Sequence, residues 1–258
     1  MKCCICGTVR NCGKYLNKIF ENMEQIGGIF EDYVIIFYYD QSNDDTLQQI
    51  KDFQKRNSKV IFYNNTGEML PYRTHRLALG RNKCLELIRQ EYSDYEYFIM
   101  MDCDDRCAKN MKINLLKNYL TRYDWDALSF DHPDGYYDTW ALSIGPYVLS
   151  CHHLTNGLKC QKYVSDLIKL TPRQRLIACY SAFNGFAIYR TNKFLNCHYD
   201  GRFRVDYIPA NLIKQNLLYA GGFNGGQRKE DCEHRFFHFQ SIKKNGARIR
   251  ISPLRLFI

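Results

Sequence analysis

A chain of 258 residues, 45% hydrophobic and 24% charged, can bury a substantial core and is too apolar for a disordered or low-complexity protein. Its formal charge of +9 suits an anionic partner, but the 36 Lys and Arg are spread along the chain, which speaks for a solvated basic surface and against a dedicated nucleic-acid stripe. No stretch nears the roughly 18 apolar residues of a membrane span, the first residues lack a signal peptide's apolar core, and the 12 cysteines of a long chain read as reduced thiols, so a reducing cytoplasm is expected.

The first predicted element is a strand over Lys2 to Thr8, left through the loop Gly7 to Asn11. Cys3, Cys4, Cys6 and Cys12 lack the second Cys-x-x-Cys or His pair of a zinc site and alternate between strand faces, so they are expected to be structural. Tyr15, Leu16, Ile19, Phe20 and Met23 space a helix over Cys12 to Ile26, which Gly27-Gly28 ends. A second strand, Tyr33 to Tyr39, runs into the polar turn Asp40 to Thr46, where Asp44 or Asp45 serves either a site or the cap of a helix over Thr46 to Arg56.

Val60 to Tyr63 is a short third strand with turn chemistry after it. The helix over His75 to Gln90 is expected to bury Leu77, Leu79, Cys84, Leu85 and Ile88 and to leave Arg76, Arg81 and Asn82 turned towards an anion. Four consecutive apolar residues, Phe98 to Met101, then read as a strand covered on both faces, with Asp102, Asp104 and Asp105 emerging at its carboxyl end. Strand and helix thus alternate four times, which predicts a parallel βαβ arrangement. Open α/β sheets bind ligands at the carboxyl ends of their strands. There Asp102 and Asp104, one residue apart, can share a hard divalent cation that keeps positions for phosphate oxygens.

Beyond Asp105 the pattern weakens. Ile144 to Ile177 is punctuated by Pro146, Gly157 and Pro172 and is expected to be an irregular acceptor-side loop region, with Cys151-His152-His153 a polar run inside it. Ala182 to Tyr189 reads as a strand in which Gly185 lets a substrate approach the backbone. Gly221 to Gly226 lacks the Lys-Ser/Thr ending of a P-loop and reads as a lid or hinge. In Glu230 to His238, helical spacing puts His234 with His238, and Glu230 with His234, on one face, which makes a second candidate site; the bland alternative is an acidic first helical turn with surface histidines. Phe236, Phe237 and Phe239 are expected in the core.

Together these motifs resemble the glycosyltransferases of the GT-A fold, with a family 2-like first half. Gly7 to Asn11 looks like the first nucleotide loop, Tyr39 to Thr46 like the second, Arg81-Asn82 like the Arg-Asn pair of the following helix, and Asp102-Cys103-Asp104 like the Asp-x-Asp metal motif. Tyr136 to Trp140, Ser181 to Gly185 and Cys232 to His234 with His238 are more weakly similar to cryptococcal mannosyltransferase-like enzymes. Ala141-Leu142-Ser143 departs from that pattern.

The resemblance implies one α/β domain with a mixed, mostly parallel sheet flanked by helices, residues 1–105 forming the nucleotide-binding half and 106–258 the acceptor-binding half. It implies a metal-dependent hexosyltransferase that moves a sugar from a UDP-sugar or GDP-mannose to a hydroxyl of a glycan or glycoprotein. Thr8, Arg10, Asn11, Asp40 and Arg81 would line the donor site; Asp102 and Asp104 would hold Mn2+ or Mg2+, completed by His234 or His238. If the reaction inverts, Asp231, with Glu230 and Glu233 behind it, would be the base; the likeness to mannosyltransferases leans towards retention, which does not require that base in the same form. The composition suits an AT-rich genome, a large DNA virus in its host's cytoplasm or a bacterium. A nucleotidyltransferase would want a Gly-rich triphosphate loop after the first strand; a non-catalytic nucleotide-sugar binder or a nucleic-acid binder is the remaining rival.

Overall fold

The computed structural model describes residues 1–149, 157–220 and 229–258. The expected alternation is present in the first hundred residues: β1 (Lys2–Val9), α1 (Gly13–Gly27), β2 (Asp32–Tyr39), α2 (Thr46–Arg56), β3 (Val60–Asn64), α3 (Arg73–Glu91) and β4 (Tyr97–Asp102). There follow α4 (Ile113–Leu120), β5 (Ala127–Asp131), α5 (Gly157–Leu170), β6 (Ile177–Cys179), β7 (Phe186–Arg190), α6 (Ala210–Ala220), α7 (Glu233–Asn245) and β8 (Ile249–Arg255). Among the described residues these strands form one eight-stranded sheet in the order β3-β2-β1-β4-β7-β5-β8-β6. The ladders β3-β2, β2-β1, β1-β4 and β5-β8 are parallel; β7 runs against β4 and β5, and β6 against β8. Six strands therefore share one direction, the mixed, mostly parallel sheet that the sequence implies.

Alternation along each strand builds two cores. One face carries Ile5, Ile35, Phe37, Ile99 and Met101 against α1, α2 and α4; the other carries Cys4, Cys6, Ile36, Phe98 and Met100 against α3, α5 and α7. Phe98 stacks on Tyr189 at 4.6 Å, which ties β4 to β7. The described cysteines are all free and buried, and those of β1 divide between the two cores as the strand alternation requires. Phe236, Phe237 and Phe239 are buried.

Three expectations are corrected. The segment after Ile144 holds the 14-residue helix α5, because Cys160, Val164 and Ile168, spaced by four, bury one stripe against the sheet despite Gly157 and Pro172 at its ends. The strand after Ala182 begins only at Phe186: Asn184 and Gly185 have φ of +58° and +84°, a turn, and a Cβ on Gly185 would lie 2.4 Å from the Tyr137 hydroxyl. Gly185 thus makes room for Tyr137, not for a substrate. Glu230 precedes α7 and bridges to Arg202, so it does not share a helical face with His234. Cys151-His152-His153 and Gly221 to Gly226 lie outside the described residues.

Candidate functional site

Strand register assembles the site. β1 lies between β2 and β4, so the chain winds outward in both directions from β1, and a crevice opens at the carboxyl edge between β1 and β4. Val9 pairs with Tyr39 and Thr8 with Asp102, which sets the loops after β1 and β2 and the carboxylates after β4 side by side. Asn11, at φ +51°, locks the first two loops together: its N–H donates to Ser42 Oγ at 3.0 Å and its side-chain oxygen accepts the Asn43 N–H at 2.7 Å. Arg10 Nε donates to the Gln41 carbonyl. The capping question is settled in favour of Asp44, whose carboxylate accepts the N–H groups of Thr46 and Gly13, while Asp45 makes no side-chain cap bond.

The resulting cavity of about 400 Å³ lies within the range of small-molecule sites, about 300–1,000 Å³. Thr8, Arg10, Asn11 and Asp40 line it, as do Asp102 and Asp104. Asp40 is buried; its Oδ1 accepts the Asn65 side-chain amide and the Gln41 N–H, both at 3.0 Å, and Arg76 Nε lies 3.8 Å from its Oδ2. Arg73 and Arg76 add positive charge; sequence spacing did not single out Arg73, which opens α3 two residues before the helix expected from His75.

Beyond the two aspartates a second cavity of about 190 Å³ opens towards the other half of the chain. Asp102, Asp104, Arg73 and Leu77 line both spaces, so the carboxylates stand at their junction. Burial pushes both carboxyls up from the ordinary value. Asp102 is opposed in this by Arg81 and Arg73, and Asp104, with the charge of Asp102 adding to its burial, reaches about 6. Two desolvated carboxylates in one crevice favour a cation between them, and oxygen donors fit a hard divalent ion. Among the described residues no group of three acidic, His or Cys side chains is arranged to hold a metal, so such an ion would draw further ligands from phosphate or water.

Arg81 departs from its expected role. It lies on the buried stripe of α3 with Thr74, Ala78, Leu85 and Ile88, while Leu79 is on the exposed side. Its guanidinium donates to Asp102 Oδ1 at 3.0 Å, ion-pairs with Glu233 and packs over the Phe183 ring at 4.7 Å. The fork expected to meet phosphate is thus spent on two carboxylates. Asn82 is likewise occupied, with the backbone of Tyr199.

The residues before and on α7 separate. Glu233 and His234 line the second cavity. His234 Nε2 is buried without a hydrogen-bond partner, 3.8 Å from Glu233 Oε1, and burial with the Arg81 charge keeps the ring neutral. His238 does not line either space: Nδ1 pairs with Ser181 Oγ at 2.9 Å and Nε2 with the Tyr189 hydroxyl at 3.2 Å. Asp231 is also held apart, ion-paired to the buried Arg235 and accepting the Cys232 N–H at 2.7 Å. Glu230 accepts the Thr74 N–H and hydroxyl at 3.2 and 3.0 Å. Instead the cavity gains Tyr137 and Asp138, whose N–H groups both donate to the Asn184 side chain at 3.1 Å. Local pattern gave no signal for Asp138; only the likeness of Tyr136 to Trp140 to other enzymes marked that segment.

The family model described as "Glycosyl transferase family 2" matches residues 4–194. Among solved structures, S. aureus TarS 1-349 in complex with UDP is 15% identical, with a TM-score of 0.52 over 100% of this chain and 59% of that one. TarS 1-349 in complex with UDP-GlcNAc is 15% identical, with a TM-score of 0.51 over 100% of this chain and 57% of that one. The chain therefore spans less than two thirds of TarS 1-349, and the likeness is one of fold. No curated protein sequence matches the chain at a significant level.

Proposed function

Since the chain belongs to glycosyl transferase family 2 and is a glycosyltransferase, we propose that it moves a sugar from a UDP-sugar or GDP-mannose to a hydroxyl of a glycan or protein, with Mn2+ or Mg2+ at Asp102 and Asp104. The observation that carries this reading is the pair of cavities meeting at two desolvated carboxylates on the carboxyl edge of the sheet. In this reading the larger space takes the nucleotide, and the smaller one beyond the carboxylates takes the transferred sugar and opens towards the acceptor. Residues 1–105 would then supply the donor half and 106–258 the acceptor half of one catalytic domain.

In the larger space Asp40 accepts hydrogen bonds from base or ribose, and Thr8, Arg10 and Asn11 line the nucleoside. Arg73 and Arg76 face the diphosphate, taking the place first expected of Arg81. Arg81 acts one step back, by fixing Asp102. A divalent ion, when bound, supplies positive charge against the negative charge that develops on the departing diphosphate. Asp102 and Asp104 would hold it, with its remaining positions left to phosphate oxygens and water rather than to His234 or His238. TarS is solved with UDP and with UDP-GlcNAc, which makes a uridine nucleotide the first to try.

The test is a thermal-shift panel of UDP, GDP, CDP and ADP, each with and without Mn2+, because a ligand of the folded state raises apparent stability. A Mn2+-dependent rise for UDP or GDP is expected; no rise for any nucleotide, in folded protein, overturns the proposal.

A further inference from the structure

We propose that α5 and the groove beside it dock the protein on an anionic membrane surface. The proposal goes beyond the glycosyl transfer and uses none of the residues that line the crevice at Asp102 and Asp104.

A helix on the face of a sheet needs one apolar stripe, and α5 has two. Cys160, Val164 and Ile168 form the first and are buried in the core. Tyr163, Leu167 and Leu170, at i, i+4 and i+7, form the second, which lines a groove of about 690 Å³, larger than the nucleotide space. Ile177 of β6, Ile242 of α7 and Ile249 of β8 also line it. At the two ends of α5, Leu158 and Leu170 are 79% and 81% exposed. The exposed Leu218 and Tyr219 of α6 continue this surface, because Tyr147 meets the rings of Tyr163 and Tyr219 at 5.4 Å each and so sets the two helices together. Large apolar side chains gathered on one exposed face mark an interaction surface.

Charge identifies the occupant. Residues 157–175 carry five Lys and Arg and a single acid, Asp166, which ion-pairs with Lys162 at 2.7 Å. Lys169, Arg173 and Arg175 are exposed and make no ion pair among the described residues, nor does Arg250, which lines the groove with Arg175. Exposed leucines flanked by uncompensated cations suit the boundary of an anionic bilayer: the apolar groups enter the acyl layer, and Lys and Arg meet the headgroup charge. A second copy of this chain fits less well, since a two-fold contact through this face would set its five cations against the same five. Among the described residues no helix is long and apolar enough to cross a membrane, and the contact proposed is with the surface alone. Ile144 and Gly145 on the groove wall closely follow Trp140 of the second cavity, so the face belongs to the half of the chain proposed for the acceptor.

The experiment is co-sedimentation of the whole chain with vesicles of phosphatidylcholine alone and of phosphatidylcholine with an equal part of phosphatidylserine. Partition onto the anionic vesicles is expected to exceed that onto the neutral ones at least about tenfold, and to fall when salt is raised from about 0.1 M to about 1 M. Leu170→Glu and Arg175→Glu, both at exposed positions, should each lower that partition at least about fivefold with an unchanged melting temperature. Equal partition onto both vesicles, or none by folded wild type, overturns the proposal. So does wild-type partition by both variants, which would place the contact on another basic face. Should either variant fail to fold, the lipid and salt dependence of wild type decides alone. A groove closed by a second copy would show instead as a concentration-dependent dimer in light scattering with no vesicle binding, and that result also overturns the proposal.

Discussion

The two edges of one sheet treat their carboxylates in opposite ways. At the amino edge Asp32 begins β2, where the Lys59 ammonium and the Tyr95 hydroxyl hold its carboxyl down at about 2. Its neighbour Asp94 is likewise lowered by Lys2. At the carboxyl edge Asp102, Asp104 and Asp138 are all raised, burial being the largest cause for each. One edge has its charge compensated within the chain, as a structural edge does. The other carries desolvated carboxylates that Arg81 and Arg73 offset only in part, which is the physical signature of a site.

The largest effect is expected from removing the cation that ion-pairs with both Asp102 and Glu233 at the carboxyl edge. Arg81→Met strands Asp102 and Glu233 in the interior, and breaking a buried pair in this way costs about 3–5 kcal/mol. Urea denaturation should show that loss. A cost below about 1 kcal/mol would mean that Arg81 is not a structural clamp and that its fork is available to phosphate after all.

A smaller effect, on binding alone, is expected at the nucleotide end of the crevice. Asp40→Asn preserves shape and removes the charge from an acceptor assigned to base or ribose, and should weaken UDP roughly tenfold by titration calorimetry with little change in stability. Unchanged affinity would remove Asp40 from the donor site.

The smallest effect belongs to the amino edge. Asp32→Asn should cost at most about 1 kcal/mol at pH 7, because the side chain is 39% exposed and solvent screens its pair with Lys59. The folded carboxyl lies below its unfolded value, so this stability is present above about pH 4 and is lost as pH falls towards 2. The melting curves of variant and wild type should therefore converge in acid; a gap that widens there would contradict the assignment.

Much of this contrast was legible in the sequence, and the rest was not for definite reasons. Periodicity found β1 to β4 and the helices between them, because each strand is an apolar run and each helix shows one apolar stripe. Placement of Asp102 and Asp104 followed directly from the end of β4. What spacing cannot give is a partner. Arg81 occupies a position on the buried stripe of α3 where an apolar residue would be expected, and only the fold brings Glu233 to it. The Asp231 carboxylate looks free in the sequence but meets Arg235 one turn later, and His238 shares a face with His234 yet points to Ser181 and Tyr189. Asp138 belongs to no periodic element; its place depends on Asn184, 46 positions away. The second cavity is built from such irregular segments, and so it could be recognised only after folding.

The most direct test of the account is the Mn2+-dependent stabilisation by UDP and GDP in Asp104→Asn beside wild type. A burial-strained carboxylate is removed, so the variant should be at least as stable without ligand. The account predicts that it nonetheless loses the Mn2+-dependent nucleotide shift seen in wild type. An undiminished shift in folded Asp104→Asn would contradict the claim that this edge of the sheet holds the metal and the diphosphate.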